Sequence, residues 1–186
     1  MTKRIRKLTF EEIFSRQPNL DELKKLPRTP IYAVAENIRS MYNVGSIFRS
    51  SDGARLKHLF LTGYSSYPPR KEIDKTALGA TDSVPWSYSR DSLQVIDSLK
   101  EQKIKIAVME HTDCSVSYSE AEYDFPLCIV VGNEVDGISD EVIKRADMAV
   151  EIPMMGIKQS LNVSSAYGIV LYHLLYKYLK INKVNA

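Results

Sequence analysis

Leu127-Cys-Ile-Val-Val131 is an unbroken apolar run that ends at Gly132-Asn-Glu-Val-Asp-Gly137. A strand with one wet face alternates apolar and polar side chains. A run that is apolar on both faces belongs to a parallel sheet covered by helices on each side. Working outward, Ile104–Met109 reads as a second strand, fed by a helix over Ser92–Gln102. Downstream, a helix runs from Ser139 to Ala146, with Ser139 or Asp140 at its N-cap. A strand follows over Met148–Ile152 and stops at Pro153. Ser160 or Asn162 then opens a long helix that reaches about Leu179. Upstream lie a strand at Ile31–Ala35, a helix over Val44–Arg55 and a strand at Leu59–Leu61 ended by Gly63. A loop over residues 64–70 leads to a short helix at Lys71–Leu78. Strands alternate with helices throughout, which makes residues 31–186 an α/β domain, a mostly parallel sheet flanked by helices.

The 186 residues suffice for one domain with a sizeable core. At 44% hydrophobic and 26% charged, the chain is neither disordered nor a disulfide scaffold. Two cysteines, Cys114 and Cys128, suit free thiols in a reducing compartment. His58, His111 and His173 stand far apart without metal-ligand spacing, so no metal site is expected. His173, within an apolar helix, reads as a satisfied core histidine. The N-terminus shows no signal-peptide pattern. The apolar stretch Ala166–Leu175 is too short to span a bilayer, which needs about 20 residues. A cytoplasmic protein with no membrane attachment is the expectation.

Residues 1–30 read as a basic helical extension. Thr9 and Glu12 form a capping box for a helix over about 10–16, and Asn19 caps a second helix carrying Leu20, Leu23 and Leu26. The overall charge is +2, but residues 1–28 carry +4 and the remainder −2. Such an arm suits a polyanion, with Lys3, Arg4, Arg6 and Lys7 as phosphate contacts, or else is a solvated tail.

Ligands of open parallel sheets bind at the carboxyl ends of the strands. Three segments there are rich in small and polar residues. The first is Glu36–Arg49, where Asn43 reads as an N-cap, Gly45 leaves the first turn open and Arg49 falls in the second turn. Taken alone, Asn43 favours a plain cap; a surface cation is the other reading of Arg49, weakened by Ile47 and Phe48 beside it, which read as buried. The second is Gly132-x-Glu134-x-x-Gly137, which has the outline of a phosphate loop. Its central carboxylate would repel phosphate and suits hydroxyls, amines or a guanidinium; an exposed turn would look the same. The third is Ile152–Ala166, where Ser160, Asn162, Ser164 and Ser165 crowd a helix start that needs one capping residue. The helix beyond, Ala166-Tyr-Gly-Ile-Val-Leu-Tyr-His-Leu-Leu-Tyr176, is apolar nearly all round, as expected of burial on several sides.

In order and spacing, these segments resemble the three motifs of the SpoU/TrmH family of RNA ribose 2′-O-methyltransferases. Asn43-x-Gly45-x-x-x-Arg49 resembles the first, Gly132-x-Glu134-x-x-Gly137 the second, and Ile152-Pro-Met-Met-Gly through Ser160-Leu-Asn-Val-Ser-Ser-Ala166 the third. The resemblance covers about residues 31–180. It implies a SPOUT fold whose C-terminal segment is threaded into a trefoil knot, against the general rule that chains are un-knotted. It also implies S-adenosylmethionine as cofactor, held at Met109, Gly132, Ile152 and Leu161, and a homodimer packed through the C-terminal knot helices. Its motif-one arginine lies beside the target ribose, which makes Arg49 the central residue. An arginine is a poor base because its pKa exceeds about 12. Arg49 therefore reads as a clamp on the neighbouring phosphate and a stabiliser of the developing alkoxide. Asn43, Ser160 and Asn162 would orient Arg49 and the ribose. Glu134 would hold the arginine, or a substrate or cofactor group.

Within this chemistry the compact chain with a helical arm resembles the tRNA-modifying branch more than the rRNA-modifying one. An RNA-binding protein with a vestigial methylation site is disfavoured by intact Asn43, Arg49, Glu134, Ser160 and Asn162. A nicotinamide-dependent dehydrogenase is disfavoured because no glycine fingerprint follows the first strand.

Overall fold

The computed structural model describes residues 5–183. Lys3 and Arg4, two of the expected phosphate contacts, lie outside the described residues. Two short helices come first, α1 (Phe10–Phe14) and α2 (Leu20–Lys25), each started by a complete capping box, at Thr9 with Glu12 and at Asn19 with Glu22. Neither helix buries a residue. The chain meets the body at Arg28, whose guanidinium donates to the carbonyls of Leu56 and Ser83, and at Thr29, whose hydroxyl donates to those of Ala54 and Arg55.

The body then runs β1 (Ile31–Glu36), α3 (Met41–Gly53), β2 (His58–Thr62), α4 (Lys71–Ala77), α5 (Ala80–Ser83), β3 (Trp86–Ser89) and α6 (Ser92–Glu101). It continues with β4 (Lys105–Met109), β5 (Val116–Ser117), β6 (Leu127–Val131), α7 (Asp140–Ile143), β7 (Met148–Glu151) and α8 (Val163–Ile181). The sheet order is β3-β2-β1-β6-β4-β7-β5, and every pairing is parallel. β6 lies between β1 and β4 with all of its residues buried, as its apolar run requires. Leu127, Ile129 and Val131 pack with α3, α4 and α8, while Cys128 and Val130 pack with α6 and α7 on the other face.

Several expectations change in the structure. β3 and β5 escaped sequence reading because Trp86-Ser-Tyr-Ser89 and Val116-Ser117 are short, polar, partly exposed edges without an apolar run. α3 begins earlier than expected: Ser40 is its N-cap, accepting from the Asn43 amide, so Asn43 is not a cap and Arg49 falls in the third turn. Gly45 does not open toward a ligand. It is buried against α4, where a Cβ would stand 2.3 Å from the Ile73 carbonyl oxygen.

Helix α8 is buried along one side, through Val163, Ala166, Tyr167, Val170, Leu171 and Leu174. The Tyr167 hydroxyl is satisfied by Ser51 Oγ at 2.7 Å, and that contact pins α8 to α3. The opposite side carries a second apolar stripe, Ile169, Tyr172 and Tyr176, that is exposed in the monomer. His173 packs edge-on against Tyr118 and Tyr123, and its buried Nε2 has no hydrogen-bond partner among the described residues, so it is not the satisfied core histidine expected.

The α3–α4 contact makes a stability prediction. Replacing a helical glycine by alanine ordinarily gains about 1 kcal/mol in helix propensity. At Gly45 the added methyl meets backbone that cannot yield without separating two helices, and overpacking of this kind costs about 1–3 kcal/mol or more. Gly45→Ala should therefore lower the midpoint of urea unfolding, whereas Gly79→Ala, with nothing near its Cβ, tests only the strain of its positive φ.

Candidate functional site

The three polar segments meet at one side chain. Asn43, on the first turn of α3, donates from Nδ2 to Glu134 Oε1 at 2.6 Å. Its Oδ1 accepts from Asn162 Nδ2 at 3.0 Å and lies 3.5 Å from Ser164 Oγ. These partners are 91 and 119 residues away in the chain. Asn162 is the N-cap of α8, accepting from the amides of Ser164 and Ser165 through the same side chain that reaches Asn43.

Glu134 does not reach Arg49, one of the partners expected for it. It holds backbone rather than an arginine: Oε2 accepts from the Arg39 amide at 2.9 Å and Oε1 from the Ser40 amide at 3.1 Å. These donors lie just ahead of α3, where N–H groups are unpaired and the helix dipole favours negative charge. Partial burial pushes the Glu134 carboxyl up, but the hydrogen bonds from Arg39, Asn43, its own amide and Ser40 together hold it below the usual carboxylate range. Arg49 is exposed and enters none of these bonds. It shares its face of α3 with exposed Tyr42, two turns earlier.

Beside this bridge lies a cleft of about 550 Å³ at the carboxyl ends of β4, β6 and β7. Met109, Gly132, Ile152 and Leu161 all line it, as do Glu134, Ser160 and Asn162; Asn43 and Arg49 do not. Ile138, Ile143, Val150 and Ala166 add apolar wall. The charged lining is mostly acidic: Glu110, Glu134, Asp136, Asp140 and Glu151 are present, with no Lys or Arg and with His111 as the one basic group. Such a field suits a ligand of net positive charge and opposes phosphate. Gly132 is needed for the loop itself, since a Cβ there would meet the Gly137 backbone at 2.4 Å. Gly137 has φ +71°, and its amide and carbonyl pair with Asn133 to close the turn. Among the described residues no group of His, Cys, Asp and Glu is placed to hold a metal ion, and no helix is long and apolar enough to cross a membrane.

Two residues that spacing did not single out complete the site. Asn133 donates from Nδ2 to the Asn37 carbonyl and to the Tyr64 hydroxyl, while its Oδ1 accepts from the amides of Val135 and Asp136. His111 tethers the loop that carries Ser160–Asn162. Its Nδ1 lies 3.2 Å from Glu151 Oε2 and its Nε2 lies 3.1 Å from the Gln159 carbonyl. Both partners only accept, so both contacts are hydrogen bonds at once only when the ring is the imidazolium. No local pattern flags His111, because its partners come from β7 and the following loop.

The SpoU rRNA Methylase family matches residues 30–172. The chain belongs to that family. The tRNA (guanosine(18)-2′-O)-methyltransferase of Aquifex aeolicus (strain VF5) is 30% identical over 161 residues, covering 84% of this chain and 74% of that enzyme. The enzyme of the same description from Escherichia coli (strain K12) is 31% identical over 137 residues, and the chain spans 59% of its length. Among solved structures, the A. aeolicus TrmH/SpoU tRNA modifying enzyme superposes with a TM-score of 0.79 at 27% identity, covering 94% of this chain and 86% of that one. An AdoMet-bound rRNA methyltransferase from Sinorhizobium meliloti shares the fold, with a TM-score of 0.72 at 24% identity over 84% of this chain and 60% of that one. In this SpoU-family chain the three motif segments are thus held together by Asn43, with the cleft beneath them.

The His111 tether has a pH signature. The Glu151 carboxylate raises the His111 pKa, against some desolvation, with help from the Gln159 carbonyl and the charge of Glu110. Burial lowers those of His58 and His173, the latter with Lys177 nearby. A raised histidine stabilises the folded state fully below its unfolded pKa near 6.5, and that contribution is lost as pH rises through the folded value. An NMR titration should place the His111 midpoint above those of His58 and His173, and Glu151→Gln should bring it down. A His111 midpoint at or below that of His58 would refute the tether.

Proposed function

We propose that this chain transfers a methyl group from S-adenosylmethionine to a ribose 2′-hydroxyl of RNA, with tRNA as the substrate. The observation that carries this reading is the meeting of Asn43, Glu134 and Asn162 beside an acidic, partly apolar cleft. Arg49 stands on the same helix as Asn43. The cofactor fits that cleft on its chemistry, because its sulfonium and ammonium leave it net positive where a dinucleotide would bring phosphates. When bound it supplies a methyl group already activated by the positive sulfur. Met109, Gly132, Ile152 and Leu161 would hold it. A trefoil threading belongs to the same proposal and is supported by the passage of residues 152–162 toward Asn43 and His111.

The residues of the chain then have separate tasks. Asn43 fixes the start of α3 against the two loops, so that Arg49 is presented at a set height on that helix. Arg49, exposed, grips a phosphate flanking the target ribose and stabilises the alkoxide as the proton leaves. Ser160 and Asn162 form the edge of the cleft from the far side and orient the sugar. The proton passes to the bound phosphate or to water, since the guanidinium cannot accept it. The tRNA reading is supported by the A. aeolicus and E. coli relatives; the rRNA reading is favoured by the family's own description. Mass mapping of ribose methylation in RNA from a deletion strain separates them. A cytoplasmic location goes with this reading. Of the basic arm, Arg6 is paired with Glu12, which leaves Lys7 as the freer of the two cations among the described residues ahead of α1.

Arg49→Ala should lower methyl transfer by about a hundredfold or more while S-adenosylhomocysteine affinity, read by calorimetry, changes little. Arg49→Lys should fail as well, because lysine lacks the planar fork. Robust turnover in either variant would remove Arg49 from the reaction.

The chain is also proposed to work as a homodimer. The exposed stripe Ile169, Tyr172 and Tyr176 on α8 is the surface that would be covered. Because Ile169 and Tyr176 face solvent in the monomer, Ile169→Glu with Tyr176→Glu should give a folded monomer rather than an unfolded chain. Light scattering and circular dichroism check this; a wild-type chain that is monomeric at micromolar concentration would contradict it.

A further inference from the structure

Exposed aromatic side chains gather at one place on the carboxyl edge of the sheet. Tyr67 and Tyr88 have ring centroids 4.4 Å apart, tilted by 35°. The Tyr88 hydroxyl donates to the Gly63 carbonyl at 2.7 Å, which fixes its ring beside the loop that follows β2. Tyr64, in that loop, has its hydroxyl 2.6 Å from Asn133 Nδ2, against the Gly132–Gly137 loop of the cleft. The three residues keep 39% to 60% of their surface in water. A ring left in water forgoes the favourable burial that a core or a ligand supplies. The hydroxyls of Tyr64 and Tyr88 are held by the protein, so what those two leave open is ring surface.

Arginines stand near these rings where the cleft has none, although Glu72 and Asp91 adjoin two of them. Arg70 ends the loop that carries Tyr67, Arg90 follows β3 directly, and Arg39 lies next to the Asn37 backbone that Asn133 holds; all three are exposed. The cleft has five carboxylates and no Lys or Arg. An RNA strand is therefore repelled from the cleft and attracted to its tyrosine- and arginine-bearing rim.

Resting on the methyltransferase reading above, we propose that Tyr64, Tyr67 and Tyr88 form a stacking platform for unpaired bases beside the target nucleotide, with Arg70 and Arg90 on the adjoining phosphates. To bring one 2′-hydroxyl to the cleft, the strand must splay out, and the bases next to the target lose their stacking partners. Aromatic side chains replace those partners. A phenol face accepts any base, so the platform selects unpaired RNA over duplex and is tolerant of sequence.

The test uses the full chain, a labelled single-stranded RNA, a blunt duplex of equal length and unfractionated tRNA. Tyr67→Ala combined with Tyr88→Ala should weaken single-strand binding about tenfold or more, the size of one lost base stack. Tyr67→Phe should retain wild-type affinity, because the ring is kept. Duplex binding, S-adenosylhomocysteine affinity and the salt slope of single-strand binding should not move, since no phosphate contact is removed. Arg70→Gln with Arg90→Gln should instead flatten that slope by about 0.7 per lost contact. Unchanged single-strand affinity in the double alanine variant would overturn the platform. So would a parallel loss of S-adenosylhomocysteine binding, which would mark collapse of the loops rather than lost stacking. A wild-type chain that binds S-adenosylhomocysteine and RNA but methylates no tRNA or rRNA would overturn the reaction, while the affinity comparison would still decide the platform.

Discussion

A single carboxylate, Glu134, is the contact on which the arrangement of the site depends. It satisfies two backbone amides ahead of α3 and the side chain of Asn43 at once. Desolvation opposes the charge and hydrogen bonding favours it; hydrogen bonding wins, and the group stays ionised. Because Asn43 passes the connection on to Asn162, the start of α3, the β6 loop and the start of α8 form one hydrogen-bonded unit. Removing one member of such a chain unlinks the loops from α3; the freed groups can turn to water, so each lost bond costs about 0.5–1.5 kcal/mol.

Packing carries the same constraint deeper. Helix α3 meets α4 through Gly45 and α8 through Gly53 and Ser51. Small residues at these crossings let three helices approach closely, so the height of Arg49 above the sheet follows from the core. Ser51 links the two requirements, since its hydroxyl bonds both the Ile47 carbonyl and the buried Tyr167.

Charge divides the carboxyl edge of the sheet into two regions. The cleft is acidic and accommodates a cation, with Glu110 and Glu151 also employed as acceptors for the Ile138 amide and for Ser115 and His111. The rim bears arginines and tyrosines. A methyl donor with positive sulfur and a polyanionic acceptor can thus approach one point from opposite sides without competing for the same groups.

Apolar runs and their breaks were enough to locate the principal strands and helices, because burial on both faces of a parallel sheet leaves a local mark in residues such as Leu127–Val131. The same holds for the helix starts at Thr9, Asn19 and Asn162, whose caps lie within three residues of their donors. The family resemblance pointed to Met109, Gly132, Ile152, Leu161, Ser160 and Asn162, and these residues line one cleft. It did not reveal what Asn43 and Glu134 hold, that Gly45 faces a helix rather than a ligand, that His111 ties down a loop, or that Tyr64 leans on Asn133. Each of those facts is a contact between segments tens of residues apart, and side-chain chemistry alone allows several partners. Only the closing of the sheet, which brings β1, β2, β4 and β6 side by side, selects one of them.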